Sequence, residues 1–123
     1  MVLRSVPPSI ETAAHRMWHV TLTMAGPAET PEEIRDALTR LAHLHPFLLE
    51  ARYGPDRAEV RYWEEAEDMS TATAIASRMW KEHERSAGLP GWEVVGLQVL
   101  DRSTYMQREP LKAVPEAGWI TPF

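Results

Sequence analysis

No cysteine occurs anywhere in the 123 residues. That absence excludes a disulfide framework, a thiolate nucleophile, Cys-ligated zinc and an iron–sulfur cluster. It leaves the chain indifferent to a reducing compartment, which suits a cytoplasmic setting. Basic charge is also short. There are 13 Lys and Arg against 18 Asp and Glu, a net charge of -5. Such a chain has no uniformly basic footprint for nucleic acid. Long apolar runs are missing too. The start, Met1-Val2-Leu3-Arg4-Ser5-Val6-Pro7-Pro8, has one basic residue and no extended apolar stretch. Neither a signal peptide, a membrane span nor a lipid anchor is expected from it.

What remains is the material of one domain. At this length a chain buries roughly two-thirds of its unfolded surface, so it holds a core without a metal or a bridge. Residues 1–11, with Pro7-Pro8, read as an extended arm. Within Thr12–Met24, Trp18, Val20, Leu22 and Met24 alternate with His19, Thr21 and Thr23, the period of a strand. A short helical turn over Glu11–His15 is a competing reading there. Thr30-Pro31-Glu32-Glu33 is a capping box with proline at the first helical position. Ile34, Leu38, Leu41 and Leu44 or His45 then follow at helical spacing, and Pro46 stops the run.

Phe47–Tyr53 and Ala58–Glu65 read as a hairpin about Gly54-Pro55-Asp56-Arg57. Phe47, Leu49, Ala51 and Tyr53 should share one face, and Leu48, Glu50 and Arg52 the other. Opposite charges on the outward face, Glu50, Arg52, Glu59 and Arg61, suit cross-strand ion pairs. Tyr62 and Trp63 are adjacent and must point opposite ways. Tyr62 is assigned inward and Trp63 outward. A second helix, capped by Ser70 or Thr71, carries Ile75, Met79 and His83 in line, with Ala76 and Trp80 beside them. Gly88, Pro90 and Gly91 end it. The last strand runs from Trp92 to about Tyr105. Its residues 94–100 are nearly apolar on both sides, which predicts cover on both faces. Residues 107–123 read as a Pro-rich, non-helical tail with Trp119, Ile120 and Phe123 as apolar anchors.

The order β-α-β-β-α-β over residues 12–106 predicts a ferredoxin-like α+β domain: a four-stranded antiparallel sheet with two helices on one face. Surplus apolar surface, from Trp63 and part of Val95, Leu97 and Val99, is left for the second sheet face and the last strand. A long apolar edge needs a cover. A second copy of the chain or the chain's own tail can supply it, and a homodimer is expected. Over roughly residues 15–105 this layout resembles the dimeric α+β barrel group, in which two such chains pack sheet against sheet. That group includes small monooxygenases acting on aromatic polyketides, haem-degrading enzymes, and small isomerases or decarboxylases. The resemblance rests on topology and carries no site residue across.

Motifs for chemistry are few. No nucleophile elbow or Gly-rich phosphate loop occurs, and no residue set calls for a metal or cofactor. The third strand, Ala58–Glu65, lacks the RNA-recognition pattern and has an acidic flank. His15 and His19 on a strand make a weak zinc pair. His45 suits the C-terminal end of its helix, where a protonated ring meets the helix dipole. The acidic run Glu64–Asp68 reads as solvated surface. Two functions follow. The first is a non-catalytic module that binds a ligand or a protein, the tail being one docking element. The second is a small dimeric cofactor-independent enzyme, a monooxygenase or isomerase type, with an aromatic-lined pocket between helices and sheet. Trp18, Tyr62, Trp63 and Trp92 are the candidate ligand-binding residues, for a small aromatic or apolar molecule. His19 or His83 is the candidate general base, since histidine titrates near neutrality.

Overall fold

A computed structural model describes residues 16–45, 47–108 and 120–123. The arm over 1–11, the turn over 11–15, Pro46 and Trp119 lie outside them. The elements are β1 (Arg16–Ala25), α1 (Pro31–Leu44), β2 (Leu48–Gly54), β3 (Arg57–Ala66), α2 (Met69–Ala87), β4 (Glu93–Asp101), α3 (Arg102–Arg108) and β5 (Ile120–Pro122).

Local chemistry accounts for the helix ends. The Thr30 hydroxyl accepts the Glu33 amide at 3.3 Å, with Pro31 opening α1. Ile34, Ala37, Leu38 and Leu41 form its buried stripe, the isoleucine and each leucine worth roughly 1.5–3 kcal/mol of burial. Leu44 turns to solvent. The cap of α2 is Asp68, not Ser70 or Thr71. Its carboxylate accepts the Thr71 amide at 2.7 Å, which holds Asp68 below the ordinary carboxylate range. The helix begins sooner than expected because β3 ends at Ala66 and leaves Asp68 in the extended cap geometry. Gly88 closes α2 with φ 70°, a left-handed position that favours glycine.

The sheet order is β4-β1-β3-β2-β5. Neighbours among β4, β1, β3 and β2 are antiparallel, and β5 lies parallel to β2. The protein is therefore α+β, as expected, but with a five-stranded mixed sheet and three helices among the described residues. It is not the predicted four-stranded antiparallel sheet with two helices. The difference lies after β4. There the strand stops at Asp101, whose carboxylate accepts the Thr104 amide at 2.7 Å and starts α3. The strand expected to reach Tyr105 gives way to a helix over 102–108, which takes in residues 107 and 108 of the expected tail, while 109–119 lie outside the described residues.

One face of the sheet meets α1 and α2. Val20, Leu22, Met24, Ala51, Tyr53, Val60 and Tyr62 are buried there with Ile34, Leu38, Leu41, Ala76, Met79 and Trp80. The hairpin turns on two residues, Pro55 and Asp56, since Gly54 already pairs with Arg57. An irregularity between Leu48 and Glu50 sets Leu48 opposite Tyr62 and against the core, reversing its predicted face. Phe47, predicted inward, is exposed. On the outward face Glu50 registers with Arg61 and Arg52 with Glu59, while the measured ion pairs run along each strand.

The expected cover on both faces of β4 is incomplete among the described residues. Val94, Val95 and Leu97 are 39 %, 60 % and 36 % exposed. Leu97 and Val99 register with Leu22 and Val20, on the helix side, not on the second face. Trp63 is the residue that occupies the second face, and α3 covers it. Met17 and Leu100 lie on the same face, and the rest of it is mainly charged and polar. Sheet-to-sheet packing of the α+β barrel kind thus loses the apolar surface that motivated it.

Candidate functional site

The residues predicted to line one pocket fall into three separate groups, with Trp18 apart from all of them. The first lies on the outward face. Register sets His19 of β1 directly opposite Trp63 of β3. Because α3 folds back from β4, Tyr105 stacks on His19 with ring centroids 3.9 Å apart. Trp63 meets both rings edge-on, at 5.3 Å and 5.1 Å. His19 is buried by this arrangement. The sequence placed Trp63 outward; Tyr105 was missed because α3 was missed.

The second group lies on the helix side and joins Tyr62 and His83 to His45. The His45 ring stands edge-on to Tyr62 at 4.7 Å and 6.0 Å from His83. His83 Nδ1 lies 3.0 Å from the Met79 carbonyl, which can only accept. A hydrogen bond there makes Nδ1 the donor. Tyr62 is fully buried, and its hydroxyl has no hydrogen-bond partner among the described residues. Burial, and then the Glu64 charge, push the Tyr62 phenol above its ordinary range. Burial first and His83 second hold His45 below its ordinary value. That is the reverse of the protonated, dipole-bound histidine expected from its place at the end of α1. Burial also raises Glu64, with Glu82 and Glu65 adding to the effect. His45 was read as a helix-end residue. The signal for its inward turn is the proline after it, which forces the chain out of the helix at that residue.

The third group closes the far end of the core. Trp80 and Trp92 lie parallel with centroids 6.4 Å apart. Trp92 Nε1 donates to the Pro27 carbonyl at 2.8 Å, and Trp80 Nε1 to Pro90 at 3.0 Å. A Cβ at Gly26 would run into the Trp92 ring. Trp18 stands apart from all three, donating to the Ala66 carbonyl at 2.9 Å beside Ala72. These tryptophans are structural members with satisfied N–H groups.

A surface cleft of about 380 Å³ lies elsewhere, lined by Glu29, Glu33, Ile34, Asp36, Arg40, Gly88 and Pro90. None of the predicted site residues reaches it. Arg40 is tied down, its Nε donating to the Ala87 carbonyl at 2.7 Å. No cluster of three or more potential ligands for a metal ion occurs among the described residues. None of the described helices is long and apolar enough to cross a membrane.

The family described as Domain of unknown function (DUF8830) matches residues 17–115. The chain belongs to this family. Comparison with curated proteins and with solved structures finds no match. Its family thus brings no activity with it, and any reading of function rests on the geometry.

Proposed function

We propose that the domain is a non-catalytic interaction module that works through the edge of β4, which has no neighbouring strand beyond it among the described residues. One observation carries this reading: a nine-residue edge strand, Glu-Val-Val-Gly-Leu-Gln-Val-Leu-Asp, with Val94, Val95 and Leu97 open to solvent. Edge strands of monomers are usually short, bulged, or guarded by lysine or proline. β4 contains no Lys, Arg or Pro, its acidic residues stand only at the two ends, and its irregularity at Val95 leaves Gly96–Asp101 regular. Strand addition to such an edge gives main-chain hydrogen bonds for affinity and side-chain contacts for specificity.

The packed helix–sheet interior supports the same reading over the enzyme. A pocket enzyme needs its base beside a space for substrate. His19 is sealed between Tyr105 and Trp63, and His83 shares a polar cluster rather than a cleft with Tyr62. Native mass spectrometry of the untagged protein tests this reading. The expected spectrum shows no retained small molecule at any charge state. A stoichiometric organic ligand, lost on Tyr62→Ala or His83→Ala in folded protein, would overturn it in favour of a pocket.

A further inference from the structure

We infer that the partner of the β4 edge is a second copy of this chain, paired antiparallel about Gln98. The inference rests on the interaction reading above and names its partner. Two copies of one edge strand become antiparallel neighbours through a twofold axis normal to the sheet. Residues paired in this way point to the same face. Leu97 and Val99 share the helix side, since they register with Leu22 and Val20. Gly96, Gln98 and Leu100 register with Thr23, Thr21 and His19 on the outward side.

The strand is self-complementary about Gln98. With the axis there, Leu97 of each copy meets Val99 of the other on the helix side. Val99 already packs against the clusters built on Trp18 and on the main core, so each core gains an apolar neighbour. On the outward side Leu100 lies over Gly96, where no side chain competes for space. The two Gln98 amides face each other across the axis and can exchange hydrogen bonds. Moving the axis to Leu97 would set Glu93 against Asp101 twice, a like-charge contact that destabilises. The irregularity at Thr23/Met24 points to the same choice. It breaks the strand before Gly96, so the regular stretch available for pairing is centred near Gln98. α3 does not obstruct the edge, because Tyr105 carries it inward over His19 and Trp63.

A single engineered thiol tests this, because the chain has none of its own. Gln98→Cys lies at an exposed strand position and would stand beside its own copy. Oxidation, or a short bismaleimide, should link most Gln98→Cys chains into covalent dimers at concentrations where the wild type sediments as a dimer. Arg52→Cys, equally outward but next to the opposite edge, should give background linkage only. A wild type that stays monomeric to its solubility limit overturns the inference. So does a dimer that links through Arg52→Cys and not through Gln98→Cys. Either result, with native spectra free of small molecules, removes self-pairing while leaving the interaction reading. A retained ligand would instead remove that reading.

Discussion

At one edge of the sheet, Ile120–Pro122 lies along β2, and the Phe123 amide donates to the Tyr53 carbonyl at 2.9 Å. At the other edge β4 runs for nine residues with no strand beyond it among the described residues. The closed edge is finished by a strand of three residues ending in proline, which has no N–H to offer a further strand. The open edge is three times as long and has none of these guards. One chain thus contains both solutions to the same problem. The contrast sets the short, proline-ended β5 against the β4 edge on which the proposed contact rests.

The largest effect is expected from opening the closed edge. Deleting Ile120–Phe123 removes Ile120 from the core margin and bares the β2 edge. A loss of about 1–3 kcal/mol is expected by chemical denaturation, with aggregation appearing on concentration. Unchanged stability and solubility would mean that β5 guards nothing. Guarding the open edge should have the opposite character. Leu97→Lys is expected to weaken self-association at least about tenfold, by roughly 1.4 kcal/mol, in sedimentation velocity. Its unfolding free energy should stay within about 0.5 kcal/mol of wild type, since the site is partly exposed.

Smaller effects concern the cluster at the α1–β2 junction, beside the closed edge. His45 is held below its ordinary value of 6.5 when folded, so the unfolded chain takes the proton first. Its contribution to stability is present above that value and is lost as pH falls through it towards the lower folded value. Glu64 is raised above its ordinary 4.5, so acidification towards that value works in the opposite sense. His45→Gln should flatten the first decline in denaturation curves taken between neutral and mildly acid pH. Glu64→Gln should steepen the net acid loss by removing the opposing term. The smallest change is expected at Tyr62, whose buried hydroxyl has no partner among the described residues. Tyr62→Phe should be neutral or stabilising by up to about 1 kcal/mol. A loss above about 2 kcal/mol would show that the hydroxyl is engaged.

Much of this fold is legible in the sequence where periodicity and capping act locally. Thr30, the α1 stripe and the β1 alternation fall where the pattern sets them, and Tyr62 and Trp63 take the assigned faces. The misreadings share a cause: a competing local bond or a long-range contact. Asp101 and Asp68 each offer a carboxylate to an amide three residues on: the first starts a helix that hydrophobic spacing does not announce, and the second moves the start of α2 ahead of the expected cap. Leu48 changes face through a pairing irregularity that no alternation reveals. The pairing of Ile120 with Ala51 spans most of the chain. For the candidate site residues, aromatic composition does not say which of them meet. Tyr62 and His83 are brought together; Trp18, His19 and Trp92 go to three other places.

Amide hydrogen exchange, followed by mass spectrometry at low and high protein concentration, compares the two edges directly. Peptides covering 93–101 are expected to gain protection as concentration rises, while those covering 48–54 remain unchanged. Equal behaviour of the two edges, or no gain in 93–101, would contradict the assignment of β4 as the contact surface.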